Sequence, residues 1–523
     1  MKRFTKILTC LLALCLLVPC VVSCNEKKKN PTNNPNKKPS SSVTTTDPDA
    51  NIEKPELVDM DGYIYKAYVR DVVGDTLDEQ LAGGNNLYRC IDFWIDEANS
   101  EEDVISFAVY TRNNRIETDY NCKIRQSASN SNQLEQLRLF YTNGDKYDLT
   151  IISSKPAAQA ATQNLLLNLK DVTYADLSHP SFDQNSIHEL SIEDNLYFIS
   201  GDMNVSTLEV AGLSLVNMDF YADMKDSIVD DVFGGNPLYS DIYNVVTAKK
   251  WTMDTLLKIA TQANIDKDKS DGDDLSVIDK GDTIGYHQYF YSTIWYFYSS
   301  GGRITTKNDE GIPELTIHTE ANQNLANYLY EHLNHVIAAP WIPHAQSSVL
   351  DQNFLTGQVL FMDCSLFEIR TEIYPHAEFE YGILPCPIYE EGEDYHSVIY
   401  FNNWAHLWAI PNMVDNLENA ERMLQIMAVY SSLSGSTMNA YYERTIYFNA
   451  ARNNGSRNVM DIIRQSMVYD IALLYDWGGL EKMLEKLSFE KSNPYASAVN
   501  GVEGNVGPKI NATIEQLRNP VGN

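Results

Sequence analysis

VISFAVYTRNNRIETDYNCKI (residues 104–124) and YDLTII (residues 147–152) together decide the fold. In the first stretch Ile105, Ala108, Val109, Arg112, Ile116 and Tyr120 recur at spacings of three and four. That is the period of a helix with one buried face. Cys122-Lys123-Ile124-Arg125 then reads as a short strand, followed by a polar helix with Leu134, Leu137 and Tyr141 inward. Tyr147–Ile152 is apolar enough for a buried strand. Helices alternating with strands at these lengths predict βαβ units and a parallel sheet covered on both faces.

The same alternation continues downstream. Leu196–Ser200 is strand-like and ends in Gly201-Asp202. Thr252 is placed to cap a helix that carries Leu256, Ala260 and Ala263 on one side,. Leu325, Leu329, Leu333 and Val336 mark another helix, and Asn416–Tyr430 a third, with Leu417, Ala420, Leu424 and Met427. Val359–Met362, Tyr381–Leu384 and His406–Ile410 read as strands. No repeat of solenoid period occurs. Roughly 470 residues follow the polar stretch that ends near Pro55, more than one core usually holds, so two lobes are expected.

The first residues are built differently. Lys2, Arg3 and Lys6 precede an apolar run from Ile7 to Val22, the pattern of an export signal over residues 1–23,. Its length of about 16 residues falls short of the ~20 that a spanning helix needs. Val21-Val22-Ser23-Cys24 resembles the lipobox of bacterial lipoproteins, which implies a lipid on Cys24. An ordinary signal peptide with Cys24 incidental is the alternative. Residues 24–55 are rich in Asn, Pro, Ser, Thr and Lys and read as a disordered tether,. The expected location is the outer face of the cell membrane, reached through the lipid anchor.

The whole chain has a net charge of −31 and its first 55 residues are basic on balance, so the body carries about −36,. Such a surface argues against nucleic acid, whose phosphates call for Lys and Arg clusters. Cys90, Cys122, Cys364 and Cys386 permit two disulfides with three pairings, or four free thiols,. Their spacing matches no zinc pattern, and no metal or cofactor is expected.

Several local patterns, in order, resemble one family. Residues 108–113 (AVYTRN) leading into Tyr120–Ile124 resemble the first helix and second strand of extracellular solute-binding proteins, the ligand-capturing subunits of ABC importers, of the carbohydrate type. Residues 241–244 (DIYN) and 250–254 (KWTMD), 354–362 (FLTGQVLFM), 382–387 (GILPCP) and 409–411 (AIP) continue that order. The likeness covers about residues 90–485 and leaves 56–89 unmatched. It implies a type II periplasmic-binding-protein-like α/β fold with two discontinuous lobes joined by a hinge. One lobe is expected from about 88–155 and 340–400, the other from about 200–335 and 405–485, with 486–523 as a C-terminal segment. It further implies a monomer that closes on a sugar or oligosaccharide and delivers it to permease subunits, without catalysis.

Sugar sites pair aromatic platforms with Asp, Asn, Gln and Arg, so candidates are aromatic and polar residues near strand ends. Trp94, Asp96 and Glu97 follow a first strand expected near residue 90. Asp202 ends a strand near the expected crossover, although a turn or cap would also use it. Asn402, Asn403 and Trp404 lie where the chain returns past the cleft. Trp295 sits in an aromatic run, Tyr289–Tyr298, that reads as a buried helix, and Trp477 is a late aromatic. Trp408 reads as core. Residues 266–274 superficially resemble a calcium loop, but Gly272 comes one position late,. A peptide or other polar metabolite is the alternative ligand. A secreted carbohydrate-active enzyme is the alternative class, and no nucleophile elbow or His-Glu-x-x-His helix supports it.

Overall fold

The computed structural model describes residues 48–519 except 71–89, 102, 130–131, 266–281, 290, 336–351, 401–404, 443–453, 489 and 491. Cys24, the 266–274 loop, Asn402, Asn403, Trp404 and Val336 therefore lie outside the described residues.

Two four-stranded sheets organise the chain. In the first, β1 (Tyr63–Arg70) pairs in parallel with β2 (Cys122–Ser129) and β3 (Leu149–Ser153). The antiparallel β11 (His406–Ala409) closes its edge. Helix α1 (Val104–Asp119) crosses from β1 to β2 as expected, and Ile105, Ala108, Val109, Arg112 and Ile116 are buried. Asp103 starts it by accepting hydrogen bonds from the Ile105 and Ser106 amides,. Helix α2 (Gln133–Asn143) buries Leu134 and Leu137, but Tyr141 points outward. Gly144 stops it in the left-handed conformation, at φ 75°,. Helix α3 (Ser154–Thr162) leaves the end of β3, and α4 (Gln184–Leu190) follows.

The first strand is not near residue 90. It is Tyr63–Arg70, inside the stretch that matched no pattern, while residues 90–95 form no strand. Lys66 and Arg70 break its apolar run, yet each is accommodated. The Lys66 ammonium lies 4.2 Å from the centroid of the Tyr147 ring, and Arg70 donates to Ser153 Oγ at 2.5 Å,. Leu196–Ser200 is also not a regular strand, but Ile199 bridges Trp408 of β11 and so extends the same sheet.

In the second sheet, β4 (Gly212–Asn217) lies antiparallel between β8 (Val359–Ser365) and β9 (Tyr381–Pro385). The fourth strand, β5 (Ile284–His287), pairs with β8 in parallel. All residues of these four strands are buried. The helices α5 (Met218–Phe233), α6 (Met253–Ala263), α7 (Ser292–Ser299) and α8 (Glu320–His335) belong to this half. Thr252 caps α6 by accepting from the Thr255 amide at 3.1 Å. A hairpin of β6 (Thr305–Lys307) and β7 (Pro313–Leu315) follows α7.

This pairing reverses the expected assignment of the returning segments. Residues 359–385, expected in the lobe of 88–155, pair with β4 and β5, and β11 pairs with β3. An apolar run shows that a strand exists, whereas its ladder partner depends on where the chain crosses. Here the chain stays in the second sheet through β9. It returns at β10 (Ser397–Val398), where Ile399 bridges Ala211 of the outgoing crossover. The segment 405–485 is then shared. Helix α9 (Leu417–Ser432) packs on α1 and β1, whereas α10 (Asn454–Gln465) packs on β9. Strand β12 (Met467–Val468) pairs with β10, and α11 (Leu480–Glu485) packs on α7. Helix α12 (Tyr495–Arg518) ends the described chain.

The four body cysteines are buried and stand outside any disulfide, so the permitted pairings do not form. Cys364 on β8 and Cys386 just after β9 stand on opposite sides of β4. Two strand spacings put them roughly 9–10 Å apart, beyond disulfide reach.

Candidate functional site

Open α/β sheets place ligands beyond the carboxyl ends of their parallel strands. At that end of the first sheet, Ser153 is held from two sides. Its hydroxyl accepts from Arg70, and its amide donates to Gln133 Oε1 at 2.7 Å. Lys155, in the first turn of α3, projects from this end. Its ammonium lies 3.4 Å from Glu481 Oε2 and 3.6 Å from Asp476 Oδ2.

Both carboxylates come from one turn. Asp476 ends a short helix with φ 48°, and Gly478 and Gly479 continue in the same left-handed region at 87° and 71° before α11 begins. Two glycines make this reversal possible without strain and set Asp476 and Glu481 on either side of Lys155.

Glu481 is buried and takes a hydrogen bond from the Tyr400 hydroxyl. The same hydroxyl lies 2.8 Å from Glu485 Oε1. One phenolic proton cannot serve two carboxylates, so the pair favours a proton on one of them. Burial first, and then the charge of Glu481, pushes the Glu485 carboxyl up to about 7, against the pull of the Tyr400 hydrogen bond,. Glu481 is also raised, mainly by burial and against the pull of Lys155.

The Tyr400 ring meets Tyr291 at a centroid distance of 4.5 Å. Tyr291 follows β5, and so stands at the carboxyl end of the second sheet's parallel pair. Tyr289 stacks on Trp295 at 5.6 Å with 12° between planes, and Tyr291 lies 6.3 Å from the same Trp295 ring. Trp295 also covers Gly212 where β4 begins; a Cβ there would sit 2.3 Å from the indole. The strand ends of both sheets thus converge on one constellation. It holds Lys155, Asp476, Glu481 and Glu485 on one side, Tyr400 between, and Tyr291, Tyr289 and Trp295 on the other. Tyr289, Tyr291, Trp295, Tyr400 and Glu481 are buried, so the constellation ties the strand ends of the two sheets together, and Lys155 and Asp476 form its partly exposed edge.

Of the residues expected from sequence, Trp295 belongs to this group, and its Nε1 has no hydrogen-bond partner. Trp477 is buried, stacks on Tyr475 at 5.3 Å and donates to Thr513 Oγ1 at 2.9 Å, so it braces the turn rather than lining the site. Trp94 packs half-buried on the core, and Asp96 closes a turn by accepting from the Asn99 amide and side chain. Both were placed after a first strand that lies elsewhere. Trp408 is core, as expected.

Asp202 occupies a different cavity of about 440 Å³, lined also by Asp183, Asn185, Asp461, Arg464 and Tyr469. It forms an ion pair with Arg464, and burial pushes its carboxyl up to about 6. Lys155, Tyr289, Tyr291, Tyr400, Asp476, Glu481 and Glu485 were not singled out. Lys155 was within reach, because it directly follows the clearest strand in the sequence.

Among the described residues no group of three or more His, Cys, Asp or Glu side chains is arranged to hold a metal ion, and no helix is long and apolar enough to cross a membrane.

No protein-family model matches the sequence, and no curated protein matches it significantly. Solved structures do resemble the fold. One is an extracellular solute-binding protein from Staphylococcus aureus in complex with maltose, with TM-score 0.51 and 11% identity, covering 86% of this chain and 98% of that one. Another is the maltose-binding periplasmic protein from Listeria monocytogenes in complex with maltose, with TM-score 0.50 and 13% identity, covering 85% and 99%. At these identities the likeness establishes architecture: a two-lobed α/β fold of the periplasmic-binding-protein type.

Proposed function

We propose that this chain is the substrate-binding subunit of an ABC importer, capturing a sugar or oligosaccharide outside the cytoplasm and handing it to a membrane permease. One observation carries the reading. Lys155, beyond β3 of the first sheet, and Tyr291, beyond β5 of the second, are joined across Tyr400 and the carboxylates of α11. A ligand held beside this junction, at its exposed edge, would touch both halves of the molecule, so its binding energy could draw them together about the crossovers. The maltose complexes of the two similar folds agree with a sugar ligand. The export signal and Cys24 support a lipid anchor on the outer face of the membrane, with the polar stretch after Cys24 as tether; the end of that stretch, residues 48–55, packs on the body, where Asp49 accepts from the Ser434 amide at 2.8 Å. A capture protein held beside its permease delivers a diffusing solute more effectively than a free one.

A thermal-shift screen against mono- and oligosaccharides, with product analysis of every hit, tests this. A ligand that binds only the folded state adds about 2.7 kcal/mol at a hundredfold excess over Kd. Stabilisation by a sugar recovered unchanged is the expected result. A screen in which no sugar stabilises the protein, or in which a stabilising sugar is cleaved, overturns the proposal.

A further inference from the structure

Away from the strand-end junction the two halves also meet along a polar seam. On one side is the chain around Asp202, where Phe182 bridges Gly201 and brings Asp183 and Asp202 onto one short ladder. Ile199 of the same stretch extends the first sheet. On the other side are α10, which packs on β9 of the second sheet, and the residues after it. Arg464 pairs with Asp202, the Tyr469 hydroxyl donates to Asp183, and Asn185 Nδ2 donates to Met467 O at 3.1 Å. Cavities flank these contacts. Asp202 and Arg464 line both the 440 Å³ cavity and one of about 500 Å³, and Asn185 and Met467 line the first and one of about 570 Å³. Packed interiors hold few voids of such size, so polar contacts rather than apolar burial join the halves here.

The charges of the seam do not balance. Asp202 is buried and Asp183 half-buried, and they face one guanidinium, whose side chain is 40% exposed. Arg464 is the one permanent cation among the described residues that line the 440 and 500 Å³ cavities, whereas Asp461 and Glu53 add further carboxylates to their walls. His179 also faces Asp202, with its ring held between Glu53 O at 3.0 Å and Ser181 Oγ at 2.8 Å. We propose that the seam is an acid-tightened joint: a proton taken up at Asp202 draws the two halves together, and its loss lets them part. Burial above all, with the charge of Asp183, pushes the Asp202 carboxyl up to about 6 from 3.8 against the pull of Arg464, and burial raises Asp183 as well,. Parting the seam wets Asp202 and returns it toward 3.8, so the joined arrangement binds the proton more tightly and acid favours it. Between pH 7 and pH 5 those two values shift the ratio of joined to parted molecules about tenfold,. For a ligand captured by closure, as proposed above, acid then raises the apparent affinity.

Met438 reports on the seam, because it lines the 440 Å³ cavity and is 6% exposed. Its oxidation by hydrogen peroxide is followed by peptide mass mapping on the full chain without ligand, with Met413, 4% exposed and outside these cavities, as reference,. Relative to Met413, Met438 should oxidise up to about tenfold faster at pH 7 than at pH 5, and small-angle scattering should give the larger radius of gyration at pH 7. Asp202→Asn, which is neutral at both, should oxidise slowly at both. Arg464→Gln removes the cation and should steepen the pH response, whereas Arg464→Lys should keep the parent behaviour. Equal Met438 rates or an equal radius at the two pH values, a parent-like response in Asp202→Asn, or no steepening in Arg464→Gln overturns the inference. The test needs no ligand, so its failure leaves sugar capture standing.

Discussion

Asp363→Asn is the most direct probe of how the aromatic side of the site is built. Asp363 lies on β8, fully buried, and no lysine or arginine among the described residues is hydrogen-bonded to it. Ser214 Oγ on β4 donates to it at 2.8 Å and Ser292 Oγ on α7 at 2.6 Å. The hydroxyls of Tyr286 on β5 and Tyr296 on α7 complete the set. Three strands and the helix that carries Trp295 are thereby tied to one carboxylate. Burial pushes that carboxyl up to about 6 from 3.8, against the pull of the four hydroxyls. With the folded pKa above the unfolded one, the native state binds the extra proton between these values. Stability from this group is therefore greatest at low pH and is lost as pH rises through the window. At about 1.4 kcal/mol per unit the whole loss is about 3 kcal/mol, with roughly 2 kcal/mol of it between pH 4.5 and 6.5. Asparagine mimics the neutral acid, and the hydroxyls can turn to accept from its amide. The advantage of Asp363→Asn over the parent should therefore grow by roughly 2 kcal/mol between those two pH values, in urea unfolding followed by tryptophan fluorescence. Taking the difference between variants cancels the many other groups that titrate. A difference that does not change with pH would mean the four hydroxyls fully offset the burial of the charge, and the reasoning fails.

Gly285→Ala should cost at least 3 kcal/mol in the same unfolding assay, because the new Cβ would sit 1.8 Å from the Ala260 carbonyl oxygen and push α6 off β5. Gly501→Ala, in α12 with nothing within 4 Å, should be neutral or stabilising by about 0.5–1 kcal/mol,. Equal effects would refute this packing. Arg112→Met should cost about 3–5 kcal/mol, since buried Arg112 donates to Phe93 O, Ser431 Oγ and Thr437 Oγ1 and faces the buried charge of Asp92. Adding Asp92→Asn should recover part of the loss, and a purely additive double variant would show that the two charges do not interact. Alkylation and peptide mapping without reductant should find Cys90, Cys122, Cys364 and Cys386 unlabelled in the folded protein and all labelled after unfolding. Any disulfide-linked peptide pair among them contradicts the structure.

Most of the secondary structure was legible because it rests on local period. The three-and-four spacing of Ile105 to Ile116, the Thr252 cap and the apolar blocks at β3, β8, β9 and β11 all appear where expected. Pairing was not legible, because nothing within residues 359–385 distinguishes a strand beside β4 from one beside β3. Strand β1 was missed for a related reason. Its Lys66 and Arg70 look like surface residues until Tyr147 and Ser153, some 80 positions later, supply their partners.

The site divides along the same line. Trp295 is conspicuous as a tryptophan in an aromatic run, and the run does form the buried helix α7. The residues that give the site its chemistry are conspicuous nowhere. Lys155, Glu481 and Glu485 are common surface types, and Asp202, the acid that stood out beside a glycine, pairs with Arg464 in another cavity. What singles out Glu481 is a buried charge, and its partners are Lys155, more than 300 residues away in the chain, and Tyr400, which reaches it from the return crossover. The strand-end rule, applied to β3, leads from Ser153 to Lys155 in two residues. The error lay in the choice of strand. A cluster assembled from two sheets is therefore predictable from sequence only as far as its strands are, and its charge balance becomes readable only when both sheets are in place.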